Sequence, residues 1–231
     1  DNLKDLSEQI KSEGADFGFA YDGDADRCIL LDENGDVVNM DILLCAIATE
    51  VAKSKPASTF YYDLRFSKIT KEHIESLGCK ATRLRVGNPF YKEKLVFEGG
   101  EVAAELSGHV MFADNHCLDD GFYLMTKVIN YIDDLQKTVS DIVQPFKRYF
   151  QSEEINTKVR DADEVLEAIK EKYPDLEKDY LDGITIDSQR WWFNLRKSNT
   201  EPVVRLRVEA ETKEMLDEKI DELKAFIETF K

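Results

Sequence analysis

The sequence predicts an α/β chain that ends in a small α+β domain, and three observations carry that prediction. Helix-like and strand-like periodicities alternate through roughly the first 135 residues, the order expected for helices packed on a mixed or parallel sheet. Around residues 146–151 the register changes, and strand patterns then cluster between one helix and another, as in an antiparallel sheet with helices. Apolar residues make up 42% of the 231, enough for real cores, and the clearest apolar run, 42–48, is far too short to span a bilayer.

Each element has a local justification. Leu3, Leu6 and Ile10 pattern residues 1–13 as a helix, and the run 16–21 reads as a strand. Residues 28–31 and 36–39 flank Glu33-Asn34-Gly35, a hairpin signal. An amphipathic helix is expected over 41–54 and a strand over 59–64. A helix over 68–77 is ended by Gly78, and a strand follows over 79–86. The pattern continues with a helix near 90–98 ended by Gly99-Gly100, a strand over 101–107 and a helix over 120–135. The remainder reads as a strand, a helix over 162–172, two or three strands including 191–195 and 203–208, and a last helix over 213–230.

Lys and Arg number 31 against 47 Asp and Glu, a net charge of −16 that argues against nucleic acid or an anionic membrane as partner. Arg27, Arg65, Arg83, Arg85, Arg196, Arg205 and Arg207 nevertheless lie in or near candidate loops, which suits a small phosphorylated ligand. Cys28, Cys45, Cys79 and Cys117 have no CxxC spacing and read as reduced structural thiols. His73 sits among charges on a helix and is expected in solvent, and His116 in a loop.

Three segments carry chemistry. In Asp22-Gly23-Asp24-Ala25-Asp26-Arg27 the carboxylates alternate after an apolar strand, so an extended backbone aims them at one point. Converging carboxylates repel, and a hard cation such as Mg²⁺, Mn²⁺ or Ca²⁺ relieves that repulsion. An EF-hand would place Glu33 at its last ligand position, but Arg27 then stands where the loop requires Gly, and both flanks read as strands. Arg27 adds a positive fork beside the cation. In Glu105-Leu106-Ser107-Gly108-His109 a carboxylate and a hydroxyl are aimed together, a clamp for adjacent sugar hydroxyls. Arg196-Lys197-Ser198-Asn199-Thr200-Glu201-Pro202 joins two strand patterns and offers a guanidinium, hydroxyls, an amide and backbone N–H groups to a phosphate.

In this order the three segments resemble the α-D-phosphohexomutase family, most closely its phosphomannomutase/phosphoglucomutase branch, over about residues 15–211. The resemblance implies a remnant of one α/β domain over 1–37, a complete sugar-binding α/β domain over 38–147 and a phosphate-binding α+β domain over 148–231. It implies Mg²⁺ on Asp22, Asp24 and Asp26, with Arg27 and Arg65 near the reacting centre. Glu105, Ser107, His109 and Asn88 would face the sugar, Asn88 standing where the family has His. Arg196, Ser198, Asn199, Thr200 and Arg205 would hold the non-reacting phosphate of a mannose or glucose phosphate.

The implied reaction interconverts hexose 1-phosphate and 6-phosphate through a bisphosphorylated sugar and a phosphoserine. The family's Thr-Ala-Ser-His-Asn-Pro-like serine loop is not in this sequence. The chain therefore reads as a C-terminal piece of a cytoplasmic enzyme, inactive alone and completed by N-terminal domains of the same protein. The alternative is a non-catalytic phosphosugar-binding module.

Overall fold

The computed structural model describes residues 3–198 and 201–231. They form two compact units, residues 1–147 and 148–231, each described by itself.

The first unit opens with α1 (Lys4–Glu13), ended by Gly14 in the left-handed conformation at φ 65°. Residues 1 and 2 of the expected helix lie outside the described residues. Strands β1 (Phe17–Tyr21), β2 (Cys28–Asp32) and β3 (Val37–Val38) form an antiparallel meander. Its second turn is the expected hairpin: Asp32 Oδ1 accepts from the backbone N–H of Asn34 and Asp36, each at 2.9 Å. Glu33 turns away from the Asp22 loop and accepts from the Ser140 N–H at 3.2 Å, which removes the EF-hand reading.

The next elements are α2 (Met40–Ser54), β4 (Thr59–Asp63), α3 (Lys68–Ser76), β5 (Lys80–Leu84) and α4 (Asn88–Glu98). After them come β6 (Val102–Ala104), β7 (Val110–Phe112) and α5 (Gly121–Leu135), then a short α6 (Val139–Val143). The sheet order is β5-β4-β6-β7, with β4 parallel to β5 and β6, and β7 antiparallel to β6. This is the mixed sheet expected from the βαβ alternation.

Three expectations are corrected here. Residues Met40–Ala48 are all buried, so α2 is a central helix rather than an amphipathic one; the one polar residue before Thr49, Asp41, is buried with the rest. The strand expected over 101–107 stops at Ala104, because the chain reverses at once into β7. His73 is half-buried, with its Nε2 at 2.7 Å from Thr49 Oγ1 and its ring 4.7 Å from that of Phe146. Burial lowers its pKa, so it is a neutral packing residue rather than a solvated one.

The second unit is an antiparallel sheet under two helices. Its elements are β8 (Phe150–Gln151), β9 (Ile155–Lys158), α7 (Ala162–Lys172), β10 (Glu177–Asp179), β11 (Ile184–Asp187), β12 (Trp191–Lys197), β13 (Val203–Ala210) and α8 (Lys213–Glu228). The order is β10-β11-β12-β13, and β8 and β9 pair end to end along the far edge of β13. Four strands follow α7, where two or three were expected; β10 carries Glu, Lys and Asp and has no apolar pattern to read. Ile184, Ile186, Phe193, Leu195, Val204, Leu206 and Val208 alternate onto one face and bury Val165, Ile169, Leu216, Leu223 and Ile227 of the helices. Asp161 and Thr212 cap α7 and α8.

Glu222 ties the two helices. It accepts from Tyr173 Oη at 2.7 Å, Lys172 Nζ at 3.0 Å and Lys219 Nζ at 2.7 Å. Burial pushes its carboxyl up, but these contacts outweigh burial and hold the pKa down at about 2 against an ordinary 4.5. The unfolded chain then binds the extra proton first, so this contribution is complete above about pH 4.5 and fades as pH falls toward 2. Because the pair is part-exposed, Glu222→Gln is expected to cost only about 0.5–1 kcal/mol at pH 7. Urea melts should show the gap narrowing by pH 3; a constant gap would assign the loss to packing instead.

Candidate functional site

The acidic loop joins β1 to β2. It is not extended: the Ala25 N–H donates to Asp22 O at 3.3 Å and Ala25 adopts φ 60°. The three carboxylates converge because the loop turns, not because alternate residues share a strand face, and that corrects the expected cause. Ligand oxygens of Asp22, Asp24 and Asp26 lie within 4.8 Å of one another. Burial raises the pKa of Asp26, with Asp24, Asp119 and Asp22 adding to the rise and His109 opposing it. Crowded carboxylates of this kind, all oxygen donors, fit a hard divalent cation. Arg27 donates from Nε to Asp22 Oδ2 at 2.5 Å and from its backbone to Asp22 Oδ1 at 3.2 Å. Burial pushes the Asp22 carboxyl up, yet the Arg27 hydrogen bonds outweigh it and lower the pKa. The fork expected beside the cation thus rests, through Nε, on a carboxylate of the loop itself.

Glu105–His109 is the turn between β6 and β7, closed by Glu105 N–H to His109 O at 2.9 Å and Gly108 N–H to Glu105 O at 3.1 Å. Its side chains are therefore arranged by a tight turn, not by strand alternation. The turn docks on the acidic loop: Cys28 N–H donates to Gly108 O at 3.2 Å, and Arg27 pairs with His109. Behind it, the start of α5 presses on the same loop, where Gly121 N–H reaches Ala25 O at 3.2 Å. A Cβ at Gly121 would stand 2.8 Å from that carbonyl, so only glycine allows this approach.

His109 Nδ1 lies 2.6 Å from Asp119 Oδ2 and 3.7 Å from Asp26 Oδ2. The Asp119 hydrogen bond raises its pKa, burial opposes the rise, and the charges of Asp119, Asp26 and Glu105 add to it. Asn88, the first residue of α4, reaches both His109 Nδ1, at 3.3 Å, and Asp119. Asp26, His109 and Asp119 form a second cluster whose ligand atoms all lie within 4.8 Å.

Beneath the turn, Asp63 is fully buried at the end of β4. It accepts from Arg65 Nε at 2.9 Å, Arg65 Nη2 at 2.5 Å, the Arg65 N–H at 2.9 Å and the Leu106 N–H at 3.1 Å. Arg65 Nη2 also lies 3.6 Å from Glu105 Oε1. Burial raises the Glu105 pKa, Asp63 adds to the rise, and Arg65 and His109 oppose it. Glu105 Oε2 and Ser107 Oγ are buried without a hydrogen-bond partner among the described residues. The Ser107 hydroxyl also lowers the Glu105 pKa, so the two groups are neighbours, and two such buried polar atoms short of a partner on one turn are what hydroxyl groups of a ligand would satisfy.

In the second unit, Arg196 on β12 and Arg205 on β13 stand directly opposite one another. Arg196 Nη2 donates to Glu154 Oε2 at 2.8 Å, Arg205 Nη1 to Glu154 Oε1 at 3.1 Å and Arg205 Nη2 to Ser198 Oγ at 3.2 Å. Arg207, on the same face as Arg205, donates to Gln151 Oε1 at 3.0 Å. Asn199 and Thr200, expected at the phosphate, lie outside the described residues. Sequence reasoning gave no role to three residues that organise these sites: Asp63, Asp119 and Glu154. Asp63 stands two residues before Arg65 and Asp119 ten after His109, outside the three segments singled out, and Glu154 carries no local signal and is found only through its contacts with Arg196 and Arg205.

The fold is that of a mixed α/β unit and a unit built on an antiparallel sheet. Residues 1–35 match the phosphoglucomutase/phosphomannomutase alpha/beta/alpha domain II, residues 39–149 domain III and residues 154–225 the C-terminal domain. The chain belongs to the phosphoglucomutase/phosphomannomutase family. It is 39% identical over 225 residues to a phosphomannomutase of Methanocaldococcus jannaschii, covering 97% of this chain and 50% of that relative. A phosphoglucomutase/phosphomannomutase family protein from Burkholderia thailandensis superposes with TM-score 0.89 at 25% identity, covering 99% of this chain and 50% of that one. An Aspergillus fumigatus N-acetylphosphoglucosamine mutase, solved with GlcNAc-6P and magnesium, superposes with TM-score 0.66 at 14% identity, covering 97% and 53%. The chain thus spans about half the length of the relatives it matches. Among the described residues no helix is long and apolar enough to cross a membrane.

Proposed function

We propose that this chain supplies the cation, sugar and phosphate contacts of a cytoplasmic hexose-phosphate mutase acting on mannose or glucose phosphates. The orphan Glu105 Oε2 and Ser107 Oγ beside three converging carboxylates are the observation that carries this reading. Glu105 and Ser107 grip two sugar hydroxyls, and Asp63 with Arg65 keeps that turn rigid. Asn88 and Asp119 fix the ring of His109 at the end of the same turn. Arg196, Ser198 and Arg205, with Asn199 and Thr200, hold the phosphate that is not reacting. That phosphate sits at alternate ends of the sugar in the two half-reactions, so the arginine hairpin must accept both.

Asp22, Asp24 and Asp26 would hold Mg²⁺, as the magnesium complex of the Aspergillus relative suggests, and the ion would offset phosphoryl charge. The phosphoryl carrier of such a reaction is a serine in a Thr-Ala-Ser-His-Asn-Pro-like loop, which these 231 residues do not contain. Mannose 1-phosphate turnover by this chain alone is therefore expected at background, and clear turnover would overturn the serine requirement. Calorimetric titration with Mg²⁺ should give weak binding that Asp24→Asn lowers severalfold. Equal affinities would remove Asp24 from the cation site. Phosphosugar binding with no turnover even in the longest natural form of the protein would favour a non-catalytic binding module.

A further inference from the structure

Arg196 and Arg205 face each other across an antiparallel pair, the position at which like charges destabilise a sheet. Both are substantially buried, with side-chain exposures of 8% and 28%. A phosphate would hold them together when bound, but a mutase must let go of its phosphosugar each time the sugar turns round. Something must keep the two cations side by side in the interval.

Glu154 is built for that task. It lies in the link between β8 and β9, just before the strand that pairs with β13. Each of its carboxylate oxygens takes one guanidinium, Oε2 from Arg196 and Oε1 from Arg205. The contacts use one terminal nitrogen of each arginine, and the other terminal nitrogen of Arg205 meets Ser198 of the phosphate loop. A guanidinium has five N–H donors in a planar fork, so donors remain for a ligand after the carboxylate is served. Glu154 is itself only 20% exposed, which holds its carboxylate in place.

We propose that Glu154 is a positioning residue that assembles Arg196 and Arg205 into one preformed phosphate fork. The proposal rests on the phosphate-loop reading above and adds to it a residue that does not touch the ligand. The charge of Glu154 repels an incoming dianion, so positioning and repulsion predict opposite signs when the charge is removed.

The test uses inorganic phosphate at pH 8 as the probe, measured by calorimetry on the 231-residue chain, with Glu154→Gln, Arg196→Ala and the double variant. Positioning predicts that Glu154→Gln weakens phosphate binding about tenfold, the scale of one lost charge-assisted contact. It also predicts that the double variant is no weaker than the worse single one, because both changes dismantle one fork. Unchanged or tighter binding by Glu154→Gln, or additive losses, would overturn the proposal and make the carboxylate a competitor or a bystander. If Arg196→Ala bound phosphate like the parent, the phosphate-loop reading itself would fail, a distinguishable result. A measurement on the unmutated chain guards against misfolded variants. Without phosphate, the guanidinium N–H resonances of Arg196 and Arg205 should be individually resolved by NMR, as for a clamped fork, and freely averaged resonances would overturn the proposal.

Discussion

Arg196→Ala should lower kcat/KM of a full-length protein carrying this chain by tenfold to a hundredfold, in both directions of the reaction. The scale is that of one charge-assisted phosphate contact, about 1.5–3 kcal/mol. Mannose 1-phosphate and mannose 6-phosphate should suffer alike, because one hairpin serves both ends of the sugar. Arg205→Ala should behave similarly, since it shares Glu154 with Arg196 and reaches Ser198. The rival account makes both arginines structural partners of Glu154, in which case stability falls and kinetics hold. Steady-state kinetics with a thermal melt as control separate the two. Values of kcat/KM within about twofold of the parent for both variants would remove the arginines from the phosphate site.

Asp63→Ala is expected to be the most destabilising single change in the first unit. Asp63 is fully buried and accepts four hydrogen bonds, three from Arg65 and one from the Leu106 N–H. Removing it takes three hydrogen bonds from Arg65, which is only 8% exposed, leaves that buried cation short of its main counter-charge, and frees the turn that carries Glu105. Breaking a buried pair by deleting one partner costs about 3–5 kcal/mol. For a unit of this size that corresponds to a fall of about 10 °C in Tm. Asp63→Asn should recover part of the loss, since an amide oxygen still accepts from Arg65 while its NH₂ cannot. Differential scanning calorimetry of both variants decides the matter, and a shift below about 2 °C for Asp63→Ala would show the ion pair to be dispensable.

The linear order of residues carried a great deal of this molecule. Helices capped by Ser67, Asp120, Asp161 and Thr212 and stopped by Gly14 or Gly78 are written locally, since caps and left-handed glycines act within one turn of chain. Alternation in 191–195 and 203–208 announced the β12–β13 hairpin for the same reason, and the three loop motifs are contiguous runs of five to seven residues. What was misread depended on distant partners. The burial of α2 all round follows from elements on every side of it, including α3, α5 and α6, not from its own periodicity. His73 is drawn from solvent by Phe146, a residue far along the chain. The strand expected through Ser107 ends early because β7 folds back on β6.

Residue identity and spacing were enough to specify the acidic loop, the Glu-Leu-Ser turn, the arginine hairpin and the fold class, because each is a local pattern of side-chain types on a short stretch of backbone. Tertiary structure alone decided how those groups are held. It set Asp63 under Arg65 and the Glu105 turn, put Asp119 and Asn88 on His109, and laid Glu154 across Arg196 and Arg205. These are contacts between residues up to 51 positions apart, as for Glu154 and Arg205. Their energy comes from charges brought together in a low-dielectric interior, a condition created only when strands from different parts of the chain have paired.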